Sequence, residues 1–119
     1  MDLPLESKIT IGFSATMANP KAAREVSALA DRFGYESLWT GDHIAFALPM
    51  LDPFLQLAMV AAINSRLILG TGVYLMPLRH ASTVAKITAT FDHLSEGRFI
   101  FGVGVGGEFP NEYAACGVP

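Results

Sequence analysis

Gly97-Arg98-Phe99-Ile100-Phe101-Gly102-Val103-Gly104-Val105-Gly106-Gly107 is the stretch that decides the fold. A short apolar run passes directly into closely spaced glycines. Phe99 to Val105 has the composition of a strand buried on both faces, as in a parallel sheet covered by helices. The glycines remove side chains where that strand ends, so another backbone or a ligand can come close. In open parallel sheets and in barrels, ligands sit beyond the carboxyl ends of the strands. The glycine-rich end is therefore the first place to seek a site. Gly102, Gly104 and Gly107 also match G-x-G-x-x-G, but that fingerprint needs a helix opening at the third glycine. Glu108-Phe109-Pro110 stands there instead, which reads against a dinucleotide fold.

Working outward, the preceding segment reads as a helix capped by Ser82 or Thr83, with Val84, Ile87, Phe91 and Leu94 as its core stripe. Lys86, Thr90 and His93 form its polar face, and Gly97 closes it. Leu67 to Tyr74 reads as another strand with glycines near its end. Asp52-Pro53 starts a helix from Phe54 to Ile63 that is apolar nearly all round and should be covered on more than one side. Ser37 to Thr40 is a strand followed by Gly41-Asp42-His43. Asn19-Pro20 opens a helix with Ala22, Val26, Leu29, Ala30 and Phe33 at helical spacing, stopped by Gly34. Lys8 to Ser14 is the first strand. The spacing predicts four parallel strands, near residues 8–14, 37–41, 67–74 and 98–105.

The first apolar residues of these strands are Ile9, Leu38, Ile68 and Phe99, giving steps of 29, 30 and 31. A fixed strand-plus-helix repeat is an architectural signal. An eight-unit barrel of ~250 residues uses about 31 per unit, so four units fit half of a (β/α) barrel. An open doubly wound sheet has similar spacing, so the period alone leaves both open. The expectation is an N-terminal piece of a longer protein, with residues 1–119 as one half-barrel domain.

Hydrophobic residues make up 51% of the 119, too many for a disordered chain. The net charge of -3 gives no electrostatic reason to expect nucleic acid or an anionic membrane. No apolar run approaches the ~20 residues of a membrane helix. Met1 to Lys8 lacks the order of a signal peptide, and a single cysteine, Cys116, fits a reducing, cytoplasmic setting.

Among residues that carry chemistry, Asp42-His43 follows a strand end, where a histidine can move a proton or orient a substrate. A pair bonded to its own loop is the competing reading. Glu108 follows the glycine loop as an acid, a base or a solvated carboxylate. His80, beside Arg79 near the third strand end, reads as solvated surface in preference to an anion contact, and His93 as structural. Trp39 reads as core in preference to a stacking platform, and Cys116 as inert. There is no H-x-x-x-H pair, no G-x-S-x-G and no Walker A lysine.

Six blocks in order, Ser37 to His43, Leu51-Asp52-Pro53-Phe54, Leu69 to Val73, Pro77-Leu78-Arg79-His80, Leu94 to Phe99 and Gly102 to Gly106, resemble the luciferase-like monooxygenase family. The resemblance covers nearly the whole chain. It implies an α/β fold of the (β/α)8 TIM-like barrel type, of which these are about the first four units. It implies FMN, or alternatively a deazaflavin coenzyme, at the C-terminal face. A non-proline cis peptide backing the flavin corresponds to Gly72-Val73, the pocket histidine to His43, and the glycines that admit the cofactor to Gly104 and Gly106. Glu108 lies near the glutamate that deazaflavin-dependent members use as proton donor or acceptor, one residue later than that pattern. The implied activity is a flavin-dependent monooxygenase using reduced flavin and oxygen on a small organic substrate, with a separate reductase as one source of reduced flavin. Hydride transfer with a deazaflavin, or flavin binding without catalysis, are the alternatives. The whole protein is expected to be a homo-oligomer, and residues 1–119 alone to be inactive.

Overall fold

The computed structural model describes residues 9–119, so Lys8 of the expected first strand lies outside the described residues. The elements are β1 (Gly12–Ser14), α1 (Pro20–Phe33), β2 (Ser37–Thr40), α2 (Pro53–Ala61), β3 (Ile68–Thr71), β4 (Tyr74–Leu75), a 3-10 turn (Met76–Leu78), α3 (Ala81–Leu94), β5 (Phe99–Ile100), β6 (Val103–Gly104) and α4 (Pro110–Ala115). β1, β2, β3 and β5 form one sheet in that order, and every neighbouring pair is parallel. β4 and β6 form a second parallel pair, Tyr74 opposite Val103 and Leu75 opposite Gly104.

The third and fourth strands thus differ from the continuous runs expected at 67–74 and 98–105. Each is broken, at Gly72-Val73 and at Phe101-Gly102, and the halves re-pair one layer further on. At the break the Gly102 carbonyl accepts from Thr71 Oγ1 and from the Tyr74 N–H, both at 2.8 Å. These bonds stand where ladder bonds would otherwise run.

Local signals account for the helix ends. Asn19 caps α1 by accepting from the Ala22 N–H at 2.9 Å, with Pro20 in the first turn. Gly34 takes the left-handed conformation (φ 72°) and Tyr35 N–H bonds back to the Ala30 carbonyl, closing the helix. Asp52 caps α2 through the Phe54 and Leu55 N–H groups. α3 begins earlier than expected, at Ala81. Neither Ser82 nor Thr83 caps it, because both lie inside its first turn and the N-cap position falls on His80, whose ring pairs with the Ser82 hydroxyl at 2.9 Å.

α2 packs between α1 and α3 and on β2 and β3, so its all-round apolar character is used on several sides. Phe54 is its centre, with the rings of Tyr74, Phe91, Phe99 and Phe101 all within 6.1 Å. The expected stripe on α1 needs correction. Ala23, Ser27 and Ala30 are its buried residues, whereas Leu29 and Phe33 are exposed. Small side chains let α1 approach its neighbours closely. Leu94 of the α3 stripe is likewise exposed.

Trp39 lies on the face opposite the helices. A Cβ at Gly70 would overlap its ring, and one at Gly12 would overlap Ser37 Oγ and crowd the indole nitrogen. Glycines on both flanking strands therefore make room for one indole, which donates to Ser37 Oγ at 2.9 Å. No helix among the described residues is long and apolar enough to cross a membrane.

Candidate functional site

The parallel sheet brings its carboxyl ends to one edge, and a cavity of about 300 Å³ opens there. Gly41, Asp42 and His43 line it from the end of β2. Gly72, Val73 and Leu75 line it from the β3–β4 break. Gly106, Gly107, Glu108, Phe109 and Glu112 line it from beyond β6. The volume lies at the low end for small-molecule sites. Five sequence-predicted residues therefore come together: His43, Gly72, Val73, Gly106 and Glu108. Gly104 stands apart from the lining; a Cβ there would overlap the Val73 side chain, so its bareness makes room for Val73. The Gly72-Val73 peptide is cis, and Val73 is half-exposed beside the cavity.

Asp42 does not act as a loop pair with His43. Its carboxylate is fully buried and accepts two bonds from Arg79, at 2.5 and 2.7 Å, and one from the Leu75 N–H at 2.9 Å. Arg79 is covered by the Tyr74 ring, with its guanidinium 4.1 Å from the centroid. Arg79, for which the sequence suggested no role, is thus a largely buried clamp between the ends of β2 and β4. Burial would push Arg79 toward losing its proton, but the Asp42 carboxylate more than offsets this and holds it charged. His80 is exposed and faces Ser82, and His93 is exposed on α3.

His43 is held from three sides. Its ring stacks on Phe46 at 4.1 Å and 8° between planes, and Phe109 meets it edge-on at 5.3 Å. Its Nδ1 lies 3.0 Å from Glu112 Oε2, while Glu112 Oε1 accepts from the Ile44 and Ala45 N–H groups at 2.7 and 3.2 Å. Glu112 was not singled out in the sequence. It sits on α4, whose signals were present: Pro110 in the first turn, and Gly117 (φ 67°) with Val118 N–H bonded back to Tyr113 O. Tyr113 donates to the Val105 carbonyl and anchors the helix to the glycine loop.

Burial pushes the Glu112 carboxyl up, but the His43 bond and the two backbone N–H groups outweigh it, leaving the carboxyl below its ordinary value of 4.5. A depressed carboxyl contributes stability that is present above the unfolded value and lost as pH falls through the folded one. Glu112→Gln should therefore cost about 1–2 kcal/mol at neutral pH. The gap from the wild type should close on acidification below pH 4.5, as followed by urea midpoints.

The family model for luciferase-like monooxygenases matches residues 7–119. The chain is 38% identical over 95 residues to 4-hydroxyprotoasukamycin monooxygenase of Streptomyces nodosus subsp. asukaensis, covering 79% of this chain and 25% of that protein. It is 35% identical over 83 residues to the oxygenase component of the flavin-dependent trigonelline monooxygenase of Acinetobacter baylyi, covering 69% of this chain and 23% of that protein. The solved coenzyme F420 dependent tetrahydromethanopterin reductase of Methanopyrus kandleri superposes with a TM-score of 0.75 at 26% identity, covering 95% of this chain and 31% of that one. The chain thus spans 23–31% of the length of these proteins, over the first strand–helix units of a TIM-type barrel. It belongs to the luciferase-like monooxygenase family.

Proposed function

We propose that residues 1–119 form the N-terminal half-barrel of a flavin-dependent monooxygenase that oxidises a small organic substrate with reduced FMN and oxygen. The observation that carries this reading is the meeting of His43, Gly72, Val73, Gly106 and Glu108 at one cavity beyond the strand ends. The residues suit a flat ring. Gly41, Gly72, Gly106 and Gly107 offer bare backbone, and a Cβ added at Gly41 or Gly107 would meet open space or ordinary contact only. They do not suit its phosphate, since the cavity lining carries no lysine or arginine, and Arg79 is bonded to Asp42. The ring would rest against Gly72, Val73 and Gly106. When bound, reduced flavin supplies the electrons for oxygen activation.

The chain's own part is to position and to exclude water. Phe109 walls the cavity beside His43 with apolar surface, and Phe46 backs the imidazole ring. His43 holds or moves a proton at its ring. Gly104 is a cofactor-admitting residue only through Val73, which it allows to stand toward the cavity. The trigonelline relative is named an oxygenase component, which supports a separate reductase as the source of reduced flavin here.

A second reading, hydride transfer with a deazaflavin and no oxygen chemistry, is favoured by Glu108. Its exposed carboxylate lines the cavity with His43, giving the site a further proton donor or acceptor. The absorbance of the full-length protein separates a flavin from a deazaflavin, and oxygen uptake then separates the reactions. Absence of both spectra with no turnover supports neither enzyme. In the full-length enzyme, His43→Ala is expected to lower kcat about a hundredfold, the low end for a proton-transferring group, with cofactor affinity little changed. Equal turnover removes His43 from the mechanism.

A further inference from the structure

The Glu112–His43 contact fixes more than a distance. A carboxylate only accepts hydrogen bonds, so a neutral imidazole facing it at 3.0 Å must carry its proton on Nδ1. The other oxygen of Glu112 is held by the N–H groups of Ile44 and Ala45, so the carboxylate cannot rotate away. Phe46 beneath the ring and Phe109 at its edge prevent the imidazole from turning. The carboxylate side chain is 4% exposed, so water does not compete for it.

We propose that Glu112 is a positioning residue that locks His43 in the Nδ1–H tautomer and leaves Nε2, with its lone pair, as the ring nitrogen that takes a proton from a ligand in the cavity. The second half of this statement rests on the proposed role of His43; the first half stands on the geometry alone. The arrangement assigns direction to the histidine. It is a base at Nε2 and becomes an imidazolium with both protons, the new charge lying beside the Glu112 carboxylate. Proton number is conserved: the ligand loses one and Nε2 gains it.

Glu112→Gln separates this role from a merely structural one. The side-chain oxygen of Gln can still accept from Ile44 and Ala45, which keeps the loop in place. Its amide nitrogen then faces His43 Nδ1 and donates to it, which forces the proton to Nε2. The chain has three histidines, so 15N NMR of the 119-residue chain labelled at histidine, with His80 and His93 assigned by substitution, reads the tautomer directly. The wild type is expected to show Nδ1–H at His43, and Glu112→Gln to show Nε2–H. Glu112→Asp, which keeps the acceptor, is expected to retain Nδ1–H and so serves where the Gln variant fails to fold. In the full-length enzyme, Glu112→Gln should lower kcat about as much as His43→Ala, with KM little changed. Nε2–H in the wild type, or an unchanged tautomer in the folded Gln variant, overturns the proposal. A switched tautomer with undiminished kcat overturns its catalytic half. Full turnover in His43→Ala removes His43 from the mechanism and with it the catalytic half of the proposal, leaving the tautomer assignment and the enzyme's overall activity standing.

Discussion

Arg79→Ala is expected to destabilise the chain by about 3–5 kcal/mol, the cost of leaving one partner of a buried ion pair alone. Asp42 is the reason. Its side chain is fully buried, and without the two guanidinium bonds a single backbone N–H, that of Leu75, would face it. The substitution also uncovers the Tyr74 ring, on which the guanidinium lies. A domain is stable by only about 5–15 kcal/mol, so such a loss is a large share of the total. The partner substitution decides whether buried charge is the cause. Asp42→Asn in the Arg79→Ala background removes the stranded carboxylate while still accepting from Leu75, so the double variant should be more stable than Arg79→Ala alone. Urea unfolding of the three variants checks this; a double variant less stable than the single one would show that packing, not charge, governs the site.

The Asp42–Arg79 pair also marks what the sequence could and could not tell. Strand order, parallel pairing and the helix ends at Asn19-Pro20, Gly34 and Asp52-Pro53 were legible because their signals are local or periodic. That a histidine and glycines stand at strand ends followed from the same period, while the resemblance to the family picked out His43, Gly72, Val73, Gly104 and Gly106 among them; all but Gly104 line the cavity, as does Glu108. Partners distant along the chain were not legible. Arg79 reaches Asp42 across 37 positions and Glu112 reaches His43 across 69. Neither spacing leaves a mark in composition. The strand breaks escaped for a related reason: Leu67 to Tyr74 reads as one apolar run, and only the approach of the next strand shows where it divides. On α1, helical spacing identified an apolar stripe but not its buried edge, because close packing selected Ala23, Ser27 and Ala30 over the larger Leu29 and Phe33.

Gly102→Ala is expected to be at least as damaging as Arg79→Ala, although it adds a single methyl group. A Cβ at this position would overlap the Thr71 carbonyl oxygen, a backbone atom of β3 with no rotamer to yield. The strands must separate, and two bonds hold them together at this point: Thr71 Oγ1 and Tyr74 N–H, both donating to the Gly102 carbonyl. Overpacking costs about 1–3 kcal/mol and each lost hydrogen bond about 1 kcal/mol, so roughly 3–5 kcal/mol is at stake. The displacement falls on the Gly72-Val73 segment that lies between Thr71 and Tyr74, so it reaches the cavity wall as well. Gly41→Ala is the matched control. Its Cβ would meet only the Gly72 carbonyl oxygen at 3.8 Å, an ordinary contact, so its stability should change by less than about 0.5 kcal/mol. Urea midpoints of the two variants test the argument. If Gly102→Ala is as stable as Gly41→Ala, the β3–β5 approach is looser than the hydrogen bonds at Gly102 imply, and the glycine does not set the position of the segment that walls the cavity.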